Sequence, residues 1–390
     1  MSTRPSDPLM AMQRRLIGFD TTSRNSNLAL IDDVRGYLQG FGIESELVPD
    51  ETGKKANLFA TIGPKDRGGV ILSGHTDVVP VDGQPWDTDP WTTTERDGKI
   101  YGRGTSDMKS FVAIALAFVP EFAKAPLQTP VHLAFSYDEE VGCLGVRRLI
   151  AQLAMRPVKP RLCIVGEPTD MKPIAQHKGK VSWRGRVRGH ECHSSMTHKG
   201  ANAVEAAAEI VARLKALARS KAKDGPFDRE FDPPYTTVHT GTMRGGTALN
   251  IVPLDCSFDF EIRHLPTEDP RALFAPIAAY ARELEAELKR AAPEAAISFE
   301  ELTATPGLAS APDDPAVTLA RQLTGANSSG KVSFGTEGGL FQQAGIPTVI
   351  CGPGSIDQAH QPNEWVAVSQ LAECEAFMRR LLQRLTTERL

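Results

Sequence analysis

The sequence predicts an α/β protein built on a mostly parallel sheet and interrupted by an inserted α+β unit. Three observations carry that expectation. Apolar runs alternate with helical patterns through the first 180 residues. Period-two alternation then takes over at "KVSWRGRVRG" (Lys180–Gly189). A length of 390 residues also exceeds one ordinary hydrophobic core, so a second domain is expected.

In chain order, "GGVILSGHTDVV" (Gly68–Val79) reads as a buried strand running into a polar end. "SFVAIALAFVPEFAKA" (Ser110–Ala125) has helix composition and length, and "PVHLAFSYDEE" (Pro130–Glu140) is the next strand. A helix at Gly145–Met155 and a strand "RLCIVGEPT" (Arg161–Thr169) follow. Strands separated by helices imply a parallel sheet covered on both faces, with ligands bound beyond the carboxyl ends of its strands. After Lys180–Gly189 come a helix (Ala201–Ala218), two strands (Tyr235–Gly246 and Asp255–Pro266), a helix (Asp269–Ala291) and a last strand (Ala295–Leu302). Asp269 suits the N-cap of that second helix and Pro270 its first turn. Strand-helix-strand-strand-helix-strand is the ferredoxin-like order. The expected domains are therefore 1–180 with 301–390, and an insert at 181–300, crossing back through "TATPGLASAPDD" (Thr303–Asp314).

Composition narrows the function. Apolar content of 41%, charged content of 24% and a net charge of -4 describe a soluble globular chain without the basic excess of a nucleic-acid binder. "MSTRPSDPLMAMQRRLIGFD" has no apolar run long enough for a secretion signal, and nothing reaches membrane-spanning length. The six cysteines stand singly with no C-x-x-C pair, so reduced thiols in a cytoplasmic protein are expected.

The polar residues at the strand ends carry the chemistry. His75 and Asp77 are two apart, so on a strand both point to one face. A ligating histidine needs its other N–H held, commonly by a carboxylate. Asp107 precedes a helix, where it suits capping as well as metal binding. Glu139 and Glu140 end one apolar run, Glu167 ends another, and His360 lies in a Gly/Pro-rich loop. Two imidazoles and several carboxylates suit Zn²⁺, and also Mn²⁺ or Co²⁺. If Asp107 bridges two ions, His75 and Glu167 complete one position and Glu140 and His360 the other. Three carboxylates and a hydroxide then cancel the four positive charges, and Glu139 is left as general base. Asp138 has no assigned role.

In order along the chain, "GHTDVVP", "GRGTSDMKS", "DEEVG", "GEPT", "GHECHSS", "GGTALNIVP", "FEIRHLP" and "GTEGGLFQQAGIPTVICGPGSIDQAHQPNEW" resemble the dinuclear metallopeptidase M20 family. The resemblance covers nearly the whole chain and implies a zinc-peptidase-like catalytic domain. It also implies that Asp77 orients His75, and that His193 polarises the scissile carbonyl. Asn250 and Arg263 match positions that hold a substrate carboxylate, which the planar fork of arginine suits. The insert would form a homodimer and act as a lid. The implied reaction is hydrolysis of a small N-acyl amino acid. Removal of a succinyl group and broad acyl specificity are alternatives, as is a non-catalytic binding protein on the same fold. Where many relatives carry Gly, this chain has Ser110, which bears on the backbone approach at Asp107. Cys192 beside His193 is not read as a nucleophile pair, because neighbours on an extended chain point apart. His132, His190, His198, His239 and His264 are not expected as ligands.

Overall fold

A computed structural model describes residues 4–389. The reading of the N-terminus lies partly outside them, at residues 1–3. Two compact units are present: Met1–Gln176 with Leu308–Lys331 and Thr336–Leu390, and His177–Gly307 with Val332–Gly335.

The first unit is organised by a twisted sheet. From one edge its strands run Ser45–Pro49, Ala56–Ile62, Val131–Ser136, Val70–His75, Leu162–Pro168, Thr348–Gly352, Ile174–His177 and Leu308–Ala309. Val131–Ser136, Val70–His75, Leu162–Pro168 and Thr348–Gly352 lie side by side and parallel, and every residue in them is buried. Strands covered on both faces read as continuous apolar runs, which is how they appear in the sequence. The flanking pairs are antiparallel. Register places His75 beside Ser136, so the loops that follow these two strands start next to each other.

The helix Lys109–Ala117 is buried along nearly its whole length. It approaches the sheet closely at Gly166, where a Cβ would sit 1.9 Å from the Phe111 ring. The long helix expected at Ser110–Ala125 is instead two, Lys109–Ala117 and Val119–Lys124. Pro120 has no N–H and its ring opposes a continuing helix, so it sits in the first turn of a new one.

In the second unit the sheet order is Thr237–Gly245, Asp255–His264, Gly179–Arg188, Ala296–Thr305, antiparallel throughout. The edges expected at 181 and 300 fall inside its first and last strands. Val181, Trp183, Gly185 and Val187 face the core along Gly179–Arg188, while Ser182, Arg184 and Arg186 face outward. Trp183, Phe258 and Phe260 form the buried centre, with Phe274 and Phe299 packed against them. The helices Ala203–Asp224 and Pro270–Leu288 are capped by Asn202, which accepts from the Val204 and Glu205 N–H groups, and by Asp269, which accepts from Arg271 N–H at 2.9 Å.

Candidate metal centre

Strand ends of the first unit deliver the polar residues to one place. His75 closes Val70–His75 and is 1% exposed. Its Nδ1 donates to the Asp77 backbone carbonyl at 2.9 Å, which leaves Nε2 as the free ligand atom. That Nε2 lies 3.0 Å from Asp107 Oδ1 and 3.7 Å from Glu167 Oε1. The other Asp107 oxygen, Oδ2, lies 3.3 Å from His360 Nε2, which is 2.9 Å from Glu140 Oε2. Asp107 therefore spans two sets, His75 with Glu167 and His360 with Glu140.

Asp107 does not cap the helix that follows it. Met108 is the cap residue, without a side-chain hydrogen bond, and the Asp107 carboxylate is turned to the histidines. Ser110 is tied down, donating to the Thr105 carbonyl at 2.5 Å and accepting from Gln13 at 2.7 Å.

Asp77 has a further task. Its carboxylate lies 3.6 Å from His75 Nδ1 and accepts from the Glu139 and Glu140 N–H groups at 3.1 and 3.3 Å and from Ser23 Oγ at 2.8 Å. It thus fixes the turn that presents both glutamates. Asp138, at φ 56°, is held by Lys55 at 2.5 Å, and Lys55 also donates to the Ser23 carbonyl.

The electrostatics of these groups call for cations. Burial pushes the Glu139 carboxyl up to about 8, with the charges of Glu140, Asp107 and Glu337 adding and His75 opposing. Burial and Asp107 push Glu140 up to about 7, and burial drives Glu167 well above the carboxylate range. Hydrogen bonds to Asp107 and Glu140 raise His360 to about 10. His75 is raised well above its ordinary value, because Asp107 and Glu167 outweigh its burial. Burial opposes the ionised form of Asp107, yet the two imidazoles hold it below its ordinary range. Protonated imidazoles thus offset only part of a surplus of acids.

Among the described residues, ligand atoms of His75, Glu139 and Glu167, and of His75, Asp107 and Glu140, lie within 4.8 Å of one another. Glu140 Oε1 is buried without a hydrogen-bond partner. An oxygen-rich set with two imidazoles fits divalent ions of the Zn²⁺, Co²⁺ and Mn²⁺ kind.

The sequence model of Peptidase family M20/M25/M40 matches residues 71–384. The chain belongs to this family. As an M20 protein it is a metal-dependent amidohydrolase that works with divalent ions. Acetylornithine deacetylase of Proteus mirabilis is 36% identical over 367 residues, covering 93% of this chain and 92% of the relative. Acetylornithine deacetylase of Myxococcus xanthus is 36% identical over 385 residues, covering 96% and 97%. In fold, this M20 chain is similar to an M20 family metallo-carboxypeptidase from Sulfolobus solfataricus, with a TM-score of 0.76, 17% identity and coverage of 98% and 99%.

His193, Asn250 and Arg263 belong to the second unit. His193 is exposed, with Nδ1 engaged by Ser195 N–H at 3.2 Å and Ser195 Oγ at 2.8 Å. The Asn250 carbonyl accepts from Ser194 N–H at 3.0 Å, and Arg263 pairs with Glu261 at 2.8 Å. His190 pairs with Glu294, and His132 stacks on Phe59 and lies 2.9 Å from Thr61 Oγ1.

Two buried acids escape the sequence reading. Glu337, 1% exposed, accepts from Ser136 Oγ at 2.5 Å and from Ser73 Oγ at 3.4 Å, bracing the two strands that lead to Glu139 and His75. Glu364, also 1% exposed, gathers the loop that carries Asp107. Both stand inside recognisable motifs, but no local pattern separates them from solvated acids.

Proposed function

We propose that this chain hydrolyses the amide of N²-acetyl-L-ornithine to give L-ornithine and acetate, the deacetylation step of arginine biosynthesis. The observation that carries this reading is 36% identity over nearly the full length of relatives named for that reaction, joined to a cluster of side chains around His75 that could hold a metal ion.

His75, Asp107 and Glu167 would hold one divalent ion, and Asp107, Glu140 and His360 a second, most simply Zn²⁺. Such ions polarise a carbonyl and make water more acidic. Glu139 is the proton acceptor, its turn fixed through Asp77, and it then carries that proton toward the leaving amine. His193 supports the developing charge on the carbonyl oxygen, since Nδ1 is engaged and Nε2 is left to donate. Asn250 and Arg263 hold the substrate carboxylate. A second copy of the chain docks through the second unit. The exposed edge strand Thr237–Gly245, with Met243 in it and the exposed Leu249 and Ile251 after it, supports that reading.

The test is a panel of N-acetyl, N-succinyl and N-formyl amino acids, compared by kcat/KM on Zn²⁺- or Co²⁺-loaded protein. N²-acetyl-L-ornithine should be the best substrate. No acetate release from it, or faster turnover of a succinyl amide, contradicts the assignment.

A further inference from the structure

The two candidate cation positions are held by different means. His75 and Glu167 stand on strands of one parallel ladder, so backbone pairing fixes them. His360 has no such support: its side chain is 52% exposed and its φ is 63°.

What holds it is a chain of polar contacts. The Glu364 carboxylate accepts from Ser106 N–H at 2.7 Å, Asp107 N–H at 3.0 Å and Gly104 N–H at 3.0 Å. It also accepts from Arg103 Nη1 at 2.7 Å, in a pair whose side chains are 1% and 0% exposed. Arg103 Nη2 donates to Gln84 Oε1 at 2.5 Å, and Gln84 Nε2 donates to the His360 backbone carbonyl at 2.9 Å. Trp86 closes the group, with the Arg103 guanidinium 5.1 Å from its ring and its Nε1 donating to Gln84 at 3.1 Å. The path runs from the Asp107 loop to the His360 loop without touching His75 or Glu167.

We propose that Gln84, Arg103 and Glu364 are positioning residues that lock the His360 loop onto the Asp107 loop, and that through Gln84 they set the second cation position separately from the first. This rests on the two-cation reading above. Charge-assisted bonds to backbone N–H groups are strong and directional, which suits a group that aligns ligands without binding metal. Loss of an outer partner of a metal ligand typically weakens metal binding about 10–100-fold. For Gln84, whose link runs to His360 and to no ligand shared by both positions, that loss falls on the second ion.

Gln84 is the residue to change, because it touches no ligand side chain and is partly exposed. Gln84→Ala removes both links. Gln84→Glu keeps an acceptor for Arg103 but loses the donor to His360. Chelator-treated full-length protein is titrated with Zn²⁺ by calorimetry, and metal content is measured after dialysis. In both variants the first binding step should match wild type and the second should weaken about 10–100-fold, with thermal unfolding of the metal-free protein unchanged. Equal weakening of both steps, or no change in either, overturns the relay. A Gln84→Glu protein that behaves as wild type overturns the His360 link. A wild-type chain that takes up only one ion overturns the two-cation reading and the relay with it.

Discussion

Replacing Glu139 by glutamine should make the metal-free protein more stable while abolishing turnover. Burial first, then the charges of Glu140, Asp107 and Glu337, pushes this carboxyl from an ordinary 4.5 up to about 8. In the unfolded chain it ionises at the ordinary value. Between pH 4.5 and about 8 the folded state therefore keeps a proton that the unfolded state releases, so stability falls as pH rises through that window. At 1.36 kcal/mol per pH unit, the interval from 4.5 to pH 7 gives roughly 3 kcal/mol, and partial exposure of the residue screens this to about 2 kcal/mol. Glutamine keeps the shape and carries no charge. The assay is urea unfolding of chelator-treated wild type and Glu139→Gln at pH 4.5 and pH 7. The advantage of the variant should grow from near zero to about 2 kcal/mol. A difference that does not change with pH, or a variant less stable at pH 7, refutes the reasoning. Reloaded with Zn²⁺, the variant should bind metal normally and turn over at least ~10²-fold more slowly. The catalytic base would then be held in place at a cost in stability.

Two other outcomes follow from the same geometry. Glu140→Ala should lower bound metal, by elemental analysis, from two ions per chain toward roughly one, whereas Glu139→Gln should not; equal loss in both would merge the two roles. His177 is 0% exposed, its Nδ1 donates to the Lys178 carbonyl at 2.9 Å, and burial pushes it down from 6.5 to about 4. The unfolded chain binds the proton first as pH falls, so this histidine contributes stability above pH 6.5 that is lost between 6.5 and about 4, up to roughly 3 kcal/mol. His177→Asn should remove that part of the acid sensitivity in denaturant titrations of the metal-free protein; an unchanged slope from pH 6.5 to 4 contradicts it.

Much of the architecture is legible because it is local. The alternation in "KVSWRGRVRG" is the in-out pleat of a strand with one covered face, and Asp269 before Pro270 is a helix start that the structure confirms bond by bond. The cluster around Asp107 is foreshadowed by polar residues placed where apolar runs stop, since a parallel sheet collects its strand ends. What sequence spacing does not disclose is long-range. The Asp107 N–H bond to Glu364 joins residues 257 apart, and Ser136 to Glu337 joins residues 201 apart. The Asp77 carboxylate is read as a partner of His75, yet it spends its nearer bonds on the backbone of the glutamate turn. The edge strand Ser45–Pro49 and its neighbour Ala56–Ile62 go unread because each takes its place from antiparallel pairing rather than from its own pattern.

The order of the ligands along the chain has a consequence in time. His75, Asp107, Glu139, Glu140 and Glu167 all precede the second unit, and His360 follows it. At synthesis rates of about 5–20 residues per second, the interval between emergence of Glu167 and of His360 is roughly 10–40 s. During that interval His75, Asp107 and Glu167, proposed above for one ion, have all been made, while His360, proposed for the other, has not. In chain order the last of the proposed ligands is thus the one on the exposed, left-handed loop.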